Sequence, residues 1–108
     1  MSSYKYEYLV TVPDHVDGGL QKRIDARPTH LKNLTPRVQS GQVVFGGAFL
    51  GSQPEEGARQ IRSVMLIKAN SEEEVRKIVE EDVYVQAGAW DLSKMTILPF
   101  KCAVRTPL

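Results

Sequence analysis

The chain has 108 residues and a formal net charge of +1, with 42% hydrophobic and 25% charged residues. A chain of this length forms one domain, so residues 1–108 are interpreted as a single unit. The near-zero charge argues against nucleic-acid binding. One cysteine excludes an internal disulfide. No signal-peptide pattern and no long apolar run is visible, which predicts a cytoplasmic protein without a membrane segment.

The first predicted element is a strand at residues 4–12, whose side chains alternate in polarity. One face carries the apolar side chains of Tyr4, Tyr6, Tyr8, Val10 and Val12. This period of two is typical of a strand with one buried face. Pro13 and the pair Gly18-Gly19 then predict a loop.

A helix follows, because apolar residues recur at intervals of three, four or seven. They form a stripe that consists of Leu20, Ile24, Leu31, Leu34 and Val38. Pro28 and Pro36 interrupt this pattern, and each removes an N–H donor and crowds the carbonyl four residues earlier. The sequence therefore predicts either one kinked helix or two short helices, ending before Gly41.

The next segments predict a β-hairpin, with strands at residues 42–50 and 61–68 and a polar connection at 51–60. Gly46-Gly47 indicates a bulge or a close approach by another group. A second helix begins after a capping box at Ser71-Glu72-Glu73-Glu74 and runs to about Asp82. The last predicted strand spans 94–104 and contains Pro99, which favours an edge strand or a bulge.

The order strand, helix, strand, strand, helix, strand predicts an α+β fold. It is the ferredoxin-like βαββαβ pattern, an antiparallel sheet with both helices on one face. The opposite sheet face stays apolar, because residues 43–50 and 64–67 are apolar at nearly every position. We therefore expect a homodimer in which two sheets pack face to face.

Polar residues interrupt the apolar pattern of both helices, at Arg27 with the neighbouring His30 and at Asp82. A histidine beside an aspartate is a general-base arrangement, because the carboxylate fixes the tautomer and stabilises the imidazolium. An arginine beside them can hold an anionic substrate oxygen. The alternative is an inter-helix salt bridge between Arg27 and Asp82, with His30 as a bystander.

Four motifs together resemble the YCII (YciI-like) family along residues 4–104. They are Arg27-Pro28-x-His30-Leu31, Gly41 with Gly46-Gly47, Asp82-x-Tyr84-Val85-x-Ala87-Gly88, and Pro99-Phe100-Lys101. The resemblance implies a dimeric α+β barrel with His30 and Asp82 in the active site. It also implies a small-molecule enzyme in the neighbourhood of muconolactone isomerases and dehydrochlorinases. The chain departs from the family pattern at Val83 and Ala48, where the family usually or often has proline.

The leading hypothesis is a YCII-type lyase or isomerase that acts on a small aromatic or lactone substrate by isomerisation, elimination or dehydrochlorination. In it, His30 moves a proton, Asp82 orients His30, and Arg27 holds the anion. Tyr84 either donates a hydrogen bond to a developing oxyanion or only buries its ring. No cofactor motif is visible and this chemistry needs none. The alternative is a non-catalytic dimeric domain that binds a small ligand or is structural.

A second histidine, His15, lies near Asp14 and Asp17, and a metal site there is conceivable. A solvated loop is the favoured interpretation, because three ligands so close in sequence do not converge without others. We therefore expect no metal site. Trp90 is expected to cap the core or to line the mouth of a pocket.

Overall fold

The structure is a computed structural model that describes residues 4–57 and 60–105. Its strands are β1 Tyr6–Pro13, β2 Val43–Leu50, β3 Gln60–Ala69 and β4 Thr96–Phe100. Its helices are α1 Gly19–Gln39, α2 Glu72–Glu80 and the short α3 Val83–Gln86. The strands pair antiparallel in the order β2-β3-β1-β4. This arrangement confirms the predicted ferredoxin-like α+β fold.

The core lies between the sheet and the helices. Alternate residues of β1 are buried, as the period of two predicts: Tyr8, Val10 and Val12. They pair across to Ile67, Met65 and Ser63 of β3, which are buried on the same face. The helix α2 covers this face with Val75 and Val79, both almost fully buried. Each large apolar side chain buried in this way contributes roughly 1.5–3 kcal/mol.

The segment with two prolines forms one helix, α1, which rules out the alternative of two short helices. Pro28 and Pro36 both lie inside it. The helix ends where predicted, because Gly41 adopts a left-handed backbone with φ of 82°. Glycine is the residue that adopts this conformation without steric cost.

The predicted inward face of α1 was wrong at three of its positions. Ile24, Leu31 and Val38 are 53%, 51% and 53% exposed. The side turned to the core carries Arg23, Ala26, His30 and Leu34. The reason is chemical: polar partners for Arg23 and His30 lie on the sheet and at α3, and they fix the rotation of the helix about its axis. Leu31 and Val38 line a cavity between α1 and β2.

The glycine pair in β2 does not mark a bulge. The register shifts lie on either side of it, between Val43 and Phe45 and between Phe49 and Leu50. A Cβ atom at Gly47 would meet no atom within 4 Å, and one at Gly46 would make ordinary contacts. No described group therefore approaches these glycines closely. They form part of the cavity wall.

The second helix begins as its capping box predicts, since the Ser71 hydroxyl accepts from the Glu74 N–H at 3.2 Å. It ends earlier than expected, at Glu80. Asp82 instead opens the four-residue helix α3, which the sequence pattern did not predict. The last strand is shorter than predicted, and it contains Pro99 and lies at the edge of the sheet, as one of the two alternatives predicted. None of the helices in the described ranges is both long enough and apolar enough to span a membrane.

A salt bridge attaches the segment after β4 to the first strand. Arg105 Nη2 donates to Glu7 Oε2 at 2.7 Å, and the Cys102 N–H donates to Glu7 Oε1 at 3.3 Å. The hydrogen bond from Arg105 is the main cause that lowers the pKa of Glu7, against the opposing effect of burial. The contact therefore depends on the ionised carboxylate.

We expect acid to release this segment. Because the folded-state pKa of Glu7 is depressed, its stabilising contribution is present above the ordinary glutamate pKa and is lost as pH falls through the lowered value. The chemical shift of the Cys102 amide, followed by NMR from neutral to acid pH, should show one titration step, and Glu7→Gln should abolish it. An amide shift that stays flat in the parent protein would contradict this prediction.

Candidate active site

His30 and Asp82 are 52 residues apart in the chain, and the fold brings them into contact. The His30 Nδ1 atom lies 2.8 Å from Asp82 Oδ1, and both side chains are largely buried. A carboxylate can only accept, so Nδ1 carries the hydrogen of this bond, and in the neutral imidazole the lone pair is then on Nε2. Among the described residues Nε2 has no hydrogen-bond partner. This is the geometry of a general base with an orienting carboxylate.

The position of Asp82 is fixed by its role at the start of α3. Its Oδ1 atom also accepts from the Tyr84 N–H at 2.9 Å, which caps the helix. Val83 occupies the first helical position, where proline is favoured but is not required. Val83 stands where the family usually has proline, and the Asp82 carboxylate is still directed at His30.

Two aromatic rings enclose His30. Its imidazole stacks on Tyr84 with ring centres 4.0 Å apart and an interplanar angle of 10°, and Trp90 meets it edge-on at 5.9 Å. Burial raises the pKa of Tyr84, and the positive charges of Arg23 and Arg27 act in the opposite direction. Tyr84 therefore stays a neutral phenol at physiological pH. Its ring is buried and also lines the cavity. The hydrogen bond from Tyr84 to a developing oxyanion stays a prediction.

A second polar cluster lies beside this pair and was missed in the sequence. Arg23 donates to Asp14 Oδ1 at 2.8 Å and to the Ser63 hydroxyl at 2.7 Å. Trp90 Nε1 donates to the same hydroxyl at 3.0 Å. Asp14, which we had interpreted as part of a solvated loop, is thus in a buried ion pair. One feature of the sequence could have indicated that Arg23 faces the same side as His30. Arg23 lies seven residues before His30, which is close to two helical turns.

Arg27 makes no hydrogen bond or ion pair with His30 or Asp82 among the described residues. It is exposed, it lines the same cavity, and within residues 4–57 and 60–105 no ion pair joins it to Asp82. The alternative of an Arg27–Asp82 salt bridge is therefore wrong, because Asp82 is bonded to His30. His15 and Asp17 are exposed. In the described part of the chain, no three histidine, cysteine or carboxylate side chains group to hold a metal ion.

The cavity next to these residues has a volume of about 560 Å³. It lies between α1 and β2, and its polar wall carries Arg23, Arg27, His30, Ser63 and Tyr84. Its other walls are mostly apolar, with Leu31, Val38, Val43 and Met65 among them. A concave apolar site with a few converging polar groups fits a small molecule. Trp90 belongs to the buried core, as one of the two expectations stated, and it also lines this cavity.

Several fungal proteins resemble the chain in sequence. Fusaric acid biosynthesis protein 2 of Gibberella fujikuroi is 37% identical over 103 residues, which cover 94% of this chain and 98% of that protein. Aspartate kinase FUB3 of Fusarium oxysporum f. sp. lycopersici is 38% identical over 105 residues. That match covers 95% of this chain, but the chain spans only 19% of the kinase's length.

A solved structure resembles the fold. It is 5-chloro-2-hydroxyhydroquinone dehydrochlorinase (TftG) of Burkholderia phenoliruptrix AC1100 in complex with 2,5-dihydroxybenzoquinone. The TM-score is 0.73 at 26% identity, over 90% of this chain and 95% of that one. In addition, the family model of the YCII-related domain matches residues 7–101. The resemblance seen in the motifs is thereby confirmed, and the chain belongs to the family of YCII-related domains.

Proposed function

We propose that the chain is a cofactor-independent enzyme of lyase or isomerase type that moves a proton on a small oxygenated ring. The observation that carries this proposal is the hydrogen-bonded His30–Asp82 pair at the wall of the cavity. The dehydrochlorinase with the same fold and the relatives named for biosynthesis support it. Isomerisation, elimination and dehydrochlorination are the reactions that such a pair serves.

In the proposed reaction, Nε2 of His30 takes a proton from a carbon beside a carbonyl or from a ring hydroxyl. Asp82 stabilises the imidazolium that forms, and His30 then gives the proton to another position of the substrate or to solvent. In an elimination, the electron pair released by the lost proton expels the leaving group as an anion. Arg27 holds an anionic oxygen at the open side of the cavity, and the neutral phenol of Tyr84 donates to another.

The first test is turnover of 5-chloro-2-hydroxyhydroquinone, the compound named for the structural neighbour. Chloride release and ring absorbance are followed over time with the purified protein and with no protein. Release above the uncatalysed rate supports the proposal. If the protein binds 2,5-dihydroxybenzoquinone but converts no hydroxylated or lactone ring in a panel of such compounds, the alternative of a non-catalytic ligand-binding domain replaces it.

We also propose that the chain forms a homodimer through the sheet face opposite the helices. Leu9 of β1 pairs with Leu66 and Leu98 on this face, and Phe45 pairs with Leu66. Leu66 is only 1% exposed, whereas Leu98 is 60% and Phe45 49% exposed. Leu98 and Phe45 are left exposed by the described part of the chain, and a second copy of the same face would bury them.

The dimer is tested with a charge in the centre of this face. We expect the parent protein to have twice the chain mass by light scattering, and Leu98→Glu to have the mass of one chain, because the glutamate would be buried without a partner. Ile24→Glu is the matched control, since Ile24 is a similarly exposed apolar residue on α1. A monomeric parent, or a Leu98→Glu variant that remains dimeric, would rule out this interface.

A further inference from the structure

The cavity beside His30 is larger than a single ring requires. Its volume is about 560 Å³. An apolar cavity of about 150 Å³ is enough to hold a benzene ring, so one ring would occupy roughly a quarter of this space. A substrate that fills the site must therefore carry more than its ring.

Polar and apolar side chains of α1 line different parts of the cavity. The first residues of the helix to reach it are polar: Arg23, Arg27 and His30. Leu34 and Val38 follow along the chain and line it further on. Val38 comes eight residues after His30, which is roughly 12 Å along the helix axis. The apolar part of the cavity therefore extends well beyond the reach of the imidazole.

The sheet side of the cavity has the same order. Ser63 of β3 accepts from Arg23 at 2.7 Å and so lies among the polar groups. Met65 comes two residues later on the same face of β3, and Val43 of β2 lies beyond it, opposite Ile67. The helix and the sheet thus agree on where the cavity is apolar. Five side chains form what we call the apolar end of the cavity: Leu31, Leu34, Val38, Val43 and Met65.

The apolar end is open to a ligand. Leu31 and Val38 are 51% and 53% exposed although both line the cavity. Thr35 lines the same part, but its hydroxyl already donates to the Leu31 carbonyl at 3.0 Å, so it offers a ligand little. The homodimer proposed above uses the opposite face of the sheet and leaves this end uncovered. An aliphatic group placed here would remove apolar side chains from water, which favours its binding.

We propose that the substrate carries an aliphatic substituent of several carbons on its oxygenated ring, and that the apolar end binds this substituent. The ring then lies beside His30, and the substituent extends along α1 towards Val38. The inference rests on the proposed acid–base function, because that function places the ring at His30. It narrows the substrate class from small oxygenated rings to alkyl-substituted ones.

The experiment measures how affinity depends on the length of the substituent. The probes are 2,5-dihydroxybenzoquinone and its derivatives with a methyl, propyl or pentyl group on the ring. Each buried methylene lowers a dissociation constant by about three- to fourfold. The constant, measured by calorimetry, should therefore fall about tenfold from the methyl to the propyl probe. An affinity that does not rise with chain length, or no binding of any probe, overturns the proposal.

A variant of the apolar end shows where the substituent binds. Val38→Asn puts an amide that must be desolvated against the alkyl group. It should raise the dissociation constant of the propyl probe about fivefold or more relative to its effect on the unsubstituted quinone. The matched control is Ile24→Asn, because Ile24 is also 53% exposed on α1 but does not line the cavity. Both positions are half exposed, so neither replacement opens the core, and thermal unfolding checks this.

The two variants decide between a specific site and a general effect. A larger loss for the propyl probe in Val38→Asn, with no such difference in Ile24→Asn, supports the proposal. An equal loss for both probes in Val38→Asn overturns it, as does no loss at all. The same difference between probes in Ile24→Asn also overturns it, since the alkyl group would then bind elsewhere on the helix.

Failure of this inference is distinguishable from failure of the proposed function, because the probes bind at equilibrium without turnover. If affinity rises with chain length and His30→Gln keeps full activity, the acid–base proposal fails and the binding site for the substituent stands. If His30→Gln is inactive and affinity is independent of chain length, the catalytic pair stands and the substituent site is rejected.

Discussion

Replacement of His30 by glutamine should lower turnover by a factor of about 10² to 10⁴, the usual contribution of a general acid–base group. His30 Nδ1 lies 2.8 Å from Asp82 Oδ1, and the amide of a glutamine can still hydrogen-bond to this carboxylate. The amide cannot, however, take up or release a proton as an imidazole does. Its size allows it to fill most of the space of the imidazole against Tyr84. We therefore expect the free energy of unfolding to change by no more than about 1–2 kcal/mol.

His15→Gln is the control for this variant. His15 is the other histidine of the chain, it is exposed, and it lies outside the cavity that His30 lines. It should keep the parent activity in the same assay of chloride release or of ring absorbance. Asp82→Asn should show an intermediate loss, because it removes the charge that stabilises the imidazolium but keeps a cap for α3. Parent-like turnover in His30→Gln would remove His30 from the mechanism.

Replacement of Arg23 by methionine should lower the free energy of unfolding by about 3–5 kcal/mol. Arg23 and Asp14 are 6% and 7% exposed in their side chains and lie 2.8 Å apart. The variant leaves the Asp14 carboxylate buried without its cation, and Asp14 Oδ2 already has no hydrogen-bond partner among the described groups. Since small domains have only about 5–15 kcal/mol in total, this loss approaches the limit of folding.

Urea unfolding, followed by the fluorescence of Trp90, measures the effect. The control is Arg76→Met, which removes an arginine from an exposed ion pair with Glu72 and should cost less than about 1 kcal/mol. The double variant Arg23→Met with Asp14→Leu should recover a large part of the loss, because no unpaired charge remains. If Arg23→Met costs no more than Arg76→Met, the pair has no structural importance.

Local chemistry explains the parts of the fold that were predicted correctly. The alternation of Tyr8, Val10 and Val12, the cap at Ser71 and the left-handed turn at Gly41 each depend on residues within a few positions of one another. Their signal is complete in a short window of sequence. The order of such elements then leaves few topologies, which is why the ferredoxin-like sheet could be inferred.

The helix α1 shows where sequence periodicity is insufficient. Its apolar residues at Ile24, Leu31 and Val38 suggest one inward face, but the fold turns another face to the core. The choice depends on Asp14 and Ser63, which lie 9 and 40 residues from Arg23 and bind it there. A buried arginine is exceptional without a partner, and the partner is visible only once the chain has folded.

The candidate site combines both kinds of information. The sequence by itself determined the family, the topology and the polar interruptions at His30 and Asp82, because motifs and periodic patterns persist in one dimension. Only the tertiary structure decided that Asp82 is bonded to His30 rather than to Arg27, and that Gly46 and Gly47 form a cavity wall. It also decided that Ser63 accepts two hydrogen bonds. Distances between groups far apart in the chain are set by the packing of α1 and α3 on the sheet, and no local pattern encodes them.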